Sequence, residues 1–151
     1  MADLLTHFAS ARLPAAFVRD RRVQALLVLG TFVPDLVSKG LFHVTRSAEH
    51  FNVPAHSVAG LLILSYAFSL LLEHRLRAAG FVALLAGGYL HLAVDLLKDT
   101  GGLGLVGLLF PFSTAGFELG LLDHENFVLL VPVNAAVLGA AWLIERRHVQ
   151  Q

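Results

Sequence analysis

Three near-continuous apolar segments, Val23 to Val44, His56 to Leu72 and Ala78 to Leu97, are separated only by short polar breaks. This spacing constrains the fold more than any other feature. A helix needs about 20 apolar residues to cross the roughly 30 Å hydrocarbon core of a bilayer, and these segments approach that length. The composition agrees: of 151 residues, 56% are hydrophobic and only 15% charged, which is too apolar for an ordinary soluble domain. That length suits one domain. The expectation is an all-α fold, a multi-pass transmembrane helical bundle forming a single integral membrane domain over residues 1–151.

The flanking segments are less regular. Residues 3–18 are moderately apolar but interrupted by Arg12 and Pro14, so a helix there should kink or restart, and it is short for a span. Asp3 stands where a signal peptide would carry basic residues, so the first apolar segment is expected to be retained. Leu103 to Leu122 is apolar but carries Gly107, Pro111, Gly116 and Gly120, which mark it as a broken or re-entrant piece. Phe127 to Ile144 is the last apolar segment, giving about five to six apolar helices in all. Lys and Arg gather at Arg12 to Arg22, Arg75/Arg77 and Arg146/Arg147. The positive-inside rule puts all three clusters in the cytoplasm, provided that segment 103–122 does not cross. With 11 basic and 11 acidic residues there is no footprint of a nucleic-acid binder. The absence of cysteine excludes disulfides, thiolate metal sites and a Cys nucleophile.

Within the apolar segments sit ionisable residues, which are costly at membrane depth and mark functional candidates. His91 and Asp95 are four apart, on one face of a helix. If 3–18 and 23–44 form a hairpin turning near residue 20, His7 and Asp35 lie about 13–15 residues from the turn, roughly 20 Å at 1.5 Å per residue. From the next turn near residue 75, His56, His91 and Asp95 lie roughly 24–30 Å away. The five therefore fall in one layer, in the half of the membrane away from the basic loops. Imidazole and carboxylate converging from several helices suit a divalent transition metal, zinc above all.

Thr6-His7, Gly30-x-x-x-Pro34-Asp35, His50, His56-Ser57, Gly88-x-x-His91-x-x-x-Asp95 and Phe110-Pro111-Phe112-Ser113 occur in this order between residues 6 and 113. The series resembles the LexA-regulated, membrane-bound, metal-dependent hydrolases of bacterial inner membranes. It is also similar, more distantly, to the zinc-dependent phospholipase C and single-strand nuclease superfamily. The resemblance implies metal ligation by His7, Asp35, His56, His91 and Asp95, with His50 as an additional ligand. It also implies a multi-pass protein of the bacterial inner membrane acting on a phosphoester or lipid-linked ester. Asp35 or Asp95, whichever is not a tight ligand, is then the candidate catalytic base. The soluble phospholipases use further downstream ligands and an N-terminal amine; this chain has no clear equivalents, and only His124 and Glu125 offer substitutes.

Other readings compete. His56 and His91 could be axial ligands of a haem, although neighbouring carboxylates do not favour it. The same groups could bind a metal ion transiently in a transporter, but that needs ligands continuing to the opposite side. Asp35 could pair with Lys39 at i+4, and His91 with Asp95 merely to fix packing. Ser57 could cap a helix starting after His56. His43, His74 and His148 sit at segment ends, and Glu118 could line a cavity or reach an interface. Gly102-x-Gly104-x-x-Gly107 matches a dinucleotide fingerprint, but no strand precedes it. Gly116-x-x-x-Gly120 reads as helix packing, and Gly87-Gly88 as a place where a neighbouring helix comes close.

Overall fold

The structure, a computed structural model, describes residues 4–45, 54–99, 106–123 and 128–149, with side chains for all of these except 41–45, 123, 148 and 149. Five α-helices carry it: α1 (Leu4–Ala15), α2 (Arg21–Thr45), α3 (Val58–Leu70), α4 (Arg77–Leu96) and α5 (Leu130–Val149). Helix α1 carries Pro14 in its last turn, where the missing N–H leaves one carbonyl of the preceding turn without its helical partner, and ends at Ala15. A short polar turn then leads into α2, where Asp20 Oδ1 accepts a hydrogen bond from the Arg22 N–H at 2.8 Å. Pro34, by contrast, is accommodated inside α2.

Ion pairs and interhelical hydrogen bonds fix which ends lie together. Arg12 donates to Glu145 at 2.7 Å, Arg22 lies 3.8 Å from Glu73, and Arg75 Nε lies 2.9 Å from the same carboxylate. All three basic clusters are therefore at one end of the bundle. Asn134 Nδ2 donates to Thr6 Oγ1 at 2.8 Å, which makes α1 and α5 run parallel from the opposite end. Helices α2, α3 and α4 alternate in direction between the two ends.

The interior mixes leucines and valines, among them Leu27, Leu61, Leu84 and Leu92, with many small and polar residues. Ala9, Ala11, Ala15, Thr31, Ser65, Ser69 and Ala83 are buried, while Leu36, Ile63, Val82, Val133 and Leu143 are more than half exposed. Small residues inside let helix backbones approach, which is how helices associate when lipid removes the hydrophobic drive. The closest approach is between α2 and α4. A Cβ at Gly30 would overlap the Leu84 carbonyl, and one at Gly87 would overlap the Leu27 carbonyl and lie 2.8 Å from Thr31 N. Gly88 faces the Leu61 side chain of α3. The glycine pair thus opens α4 to neighbours on two sides.

Among the described residues two helices are long and apolar enough to cross a membrane, spanning Arg21–Gly40 and His74–Leu96. This is fewer than the five to six apolar helices expected, and each shortfall has a cause. Helix α1 is 12 residues long and α3 is 13. The apolar run of α5 stops at Glu145-Arg146-Arg147. The described part of segment 103–122 forms no helix. It folds over the end of the bundle opposite the basic clusters, where Val106 bridges Phe117 and a two-residue strand β2 (Leu122–Asp123) pairs in parallel with β1 (Lys98–Asp99). Its carbonyl at Leu108 accepts from Val58 N at 3.1 Å, and Leu119 N donates to Leu96 O at 2.7 Å, so its backbone is tied to α3 and α4. Gly120 has φ 60°, in the left-handed region that glycine enters without strain. The reading of Gly116-x-x-x-Gly120 as a helix-packing motif is therefore corrected.

Candidate metal centre

At the capped end, side chains from four elements converge. His7 comes from the first turns of α1, Asp35 from α2, and His91 and Asp95 from consecutive turns of α4. His56 comes from the turn that leads into α3. That turn is locked by Ser57, whose Oγ donates to Pro54 O at 2.8 Å and accepts from Gly60 N at 2.9 Å, capping α3 as it does so. Gly60 is required there, because a Cβ would overlap the Pro54 carbonyl.

Asp95 is the hub. Its Oδ1 lies 3.5 Å from His7 Nε2, and its Oδ2 lies 3.1 Å from His91 Nε2 and 3.8 Å from His56 Nε2. Asp35 Oδ1 lies 3.6 Å from His56 Nε2, and Asp35 Oδ2 is 2.6 Å from Lys39 Nζ. The expected Asp35–Lys39 pair is thus present beside the cluster. Lys98 Nζ, 3.3 Å from Asp95 Oδ1, is a further participant, absent from the sequence-derived candidates. Its spacing of three from Asp95, just beyond the helix, was the available signal.

The three imidazoles are buried, His7 and His91 to within 1% of full burial, while the two carboxylates are slightly more open. The rings of His7 and His91 stack, with centroids 4.0 Å apart and planes 14° from parallel. Neutral imidazole is the form that ligates metals. His91 and Asp95, four apart on one helix face, lie within ion-pair reach. Among the described residues, Nδ1 of His7 and of His91 have no hydrogen-bond partner, and His91 Nε2 has only its ion-pair contact with Asp95. Buried polar atoms are rarely left so, and unpartnered imidazole nitrogens beside carboxylates are the donor set a divalent ion uses.

Two trios, His7/His91/Asp95 and Asp35/His56/His91, each bring one ligand atom per residue within 4.8 Å of one another. Either His/Asp group could hold a metal ion, and His91 belongs to both. The other sequence candidates fall elsewhere. His50, His124 and Glu125 lie outside the described residues, as do the side chains of His43 and His148. His74 is exposed at the basic end, and Glu118 is half-buried in the capping segment. No protein-family profile, curated protein or solved structure matches the chain.

Proposed function

We propose that this is a multi-pass membrane protein whose His7, Asp35, His56, His91 and Asp95 form a zinc-type metal centre for hydrolysis of a phosphoester or lipid-linked ester. The observation that carries the proposal is the convergence of five His and Asp side chains from four elements, with buried imidazole nitrogens unpartnered among them. Membrane embedding is supported by the exposure of the two span-length helices. Only 33% of the first window and 44% of the second are buried, unlike the core helices of a soluble protein. Away from the basic end, their exposed residues are Leu29, Leu36, Val82 and Tyr89 with alanines and Gly40 between them, a surface without charge that lipid accepts. The basic end faces the cytoplasm and the metal centre lies towards the opposite leaflet. Localisation to the bacterial inner membrane follows from the motif resemblance.

When bound, a zinc-type ion supplies Lewis acidity and lowers the pKa of a water from 15.7 to about 7. The chain's own residues do the rest. His91 and His7 hold their rings face to face, with Asp95 against the Nε2 of each. Asp35 or Asp95, whichever is held less tightly, accepts a proton from water at a carboxylate oxygen. The capping segment 106–122 limits solvent at this end, and its tip exposes Phe112, an aromatic side chain suited to a membrane interface.

The haem alternative has less support. The His56 and His91 rings are 5.1 Å apart with Asp95 close to both, and carboxylate oxygens occupy the space a porphyrin would need. The transport alternative needs a polar path onward. Between the site and the basic end, Ala11, Ala15, Leu27 and Ala83 form an apolar cluster, and the buried hydroxyls of Thr31 and Ser69 are taken up by carbonyls of their own helices.

Metal analysis of detergent-purified protein, with a visible spectrum of the same sample, tests the proposal. The expected result is a colourless protein retaining zinc, and a His91→Ala variant that inserts in membranes but loses the metal because both trios lose a member. A Soret band, or metal retained at wild-type stoichiometry in His91→Ala, would refute it.

A further inference from the structure

We infer that Lys39 and Lys98 are place-holding cations, displaced from Asp35 and Asp95 when a divalent ion binds, and that their release couples metal binding to uptake of an anion. The inference rests on the metal-centre reading above. Each carboxylate is shared between an ammonium and the imidazoles. Asp35 gives Oδ2 to Lys39 and turns Oδ1 towards His56; Asp95 meets Lys98 and His7 through Oδ1, and His91 and His56 through Oδ2. A metal held by His7, His91 and Asp95 therefore draws on a carboxylate that Lys98 already engages, and one held by Asp35, His56 and His91 does the same to Lys39.

Charge makes the competition consequential. Among the described residues, the two carboxylates are matched by the two ammoniums that meet them. Two further positive charges placed there leave a surplus in a surround where uncompensated charge is expensive. The surplus is relieved if the lysines swing off the carboxylates and an anion joins them. Lysine suits this, being a compact point charge on a flexible four-carbon stem. The Lys39 side chain is 41% exposed, so its displaced ammonium reaches solvent directly, whereas Lys98, 12% exposed just past the end of α4, leaves Asp95 by extending along the capping segment. The arrangement predicts that a divalent cation and an anion strengthen each other's binding reciprocally. It also gives the substrate a defined character, an anionic group presented beside the metal centre from the capped end.

The experiment uses Co²⁺ as a visible-absorbing metal probe and inorganic phosphate as the anion, with detergent-purified full-length protein. Without phosphate, Lys39→Gln and Lys98→Gln should each bind Co²⁺ severalfold more tightly than wild type, because a competitor for the carboxylate is gone. Lys39→Arg, which keeps the cation, should stay near wild type. Phosphate should tighten Co²⁺ binding to wild type by about tenfold, within the usual range of coupling between sites, and by much less in the double Lys→Gln variant. Equal or weaker Co²⁺ binding by the glutamine variants, or wild-type affinity indifferent to phosphate, overturns the inference while leaving the metal centre standing. A wild type that binds no Co²⁺ overturns both. The phosphate titration on wild type requires no variant to fold.

Discussion

Replacing Gly87 with alanine tests how closely the metal centre depends on helix packing. The added Cβ would overlap the Leu27 carbonyl of α2 and lie 2.8 Å from Thr31 N and 3.0 Å from Gly30 C, all backbone atoms that no rotamer change can move aside. Ordinary C···O contacts are about 3.3–3.6 Å, so α2 and α4 must separate by roughly 1 Å. Overpacking of this kind costs about 1–3 kcal/mol, against a gain of up to about 1 kcal/mol from the better helix propensity of alanine. The larger effect falls on the site. Asp35 lies one turn beyond Thr31 on α2, and His91 one turn beyond Gly87 on α4, so the separation is transmitted directly between them. Metal sites tolerate ligand shifts of only about 0.2 Å, and a shift several times larger should lower affinity by at least about tenfold. Gly139→Ala in α5 is the control, since a Cβ there meets nothing within 4 Å. It should be neutral or slightly stabilising and leave metal affinity unchanged. Metal affinity is read by competition with a chromogenic chelator, and stability by thermal unfolding in detergent. A Gly87→Ala protein that matches wild type in both would refute the reasoning that this backbone contact positions the site.

Three further outcomes are expected. His7→Ala removes one trio and leaves Asp35/His56/His91 intact, so a residual metal of weaker affinity should remain where His91→Ala leaves none; titration with zinc distinguishes them. The chain lacks cysteine, so single substitutions report sidedness cleanly. In intact spheroplasts an impermeant maleimide should label Phe112→Cys but not Arg75→Cys, and labelling of Arg75→Cys from outside would contradict the orientation proposed. Asn134→Ala removes the hydrogen bond to Thr6 that ties α5 to α1, and interhelical bonds of this kind are worth roughly 0.6 kcal/mol on average in membrane bundles. A double-mutant cycle with Thr6→Ala should return a coupling of about that size.

The candidate cluster could be found by linear arithmetic because two physical constraints act on it together. Rise per residue turns sequence distance into depth, so His7, Asp35, His56, His91 and Asp95 could be assigned to one layer without knowing how the helices pack. An ionisable side chain in an apolar segment must also turn inward, which supplies the rotation about the helix axis that depth alone leaves open. Segment 103–122 offers neither constraint. Its glycines and Pro111 remove the helical ruler, and its hydrogen bonds go to Leu96, Leu97 and Val58, partners chosen by tertiary proximity that no local pattern encodes. Lys98 was overlooked for the same reason: it lies just past the end of α4, where the ruler stops, yet its stem is long enough to reach back to Asp95. The count of spans failed differently. Apolar content was read as length, whereas α3 and α5 are bounded by where polar residues and turns begin, and a hydrophobic exterior does not require every helix to cross alone. What composition does specify is close helix contact at small residues such as Gly30 and Gly87. Buried hydroxyls such as Thr31 and Ser69 satisfy themselves on carbonyls of their own helix, at Leu27 and Tyr66, whereas imidazoles and carboxylates are too long and too polar to do so and converge on one another.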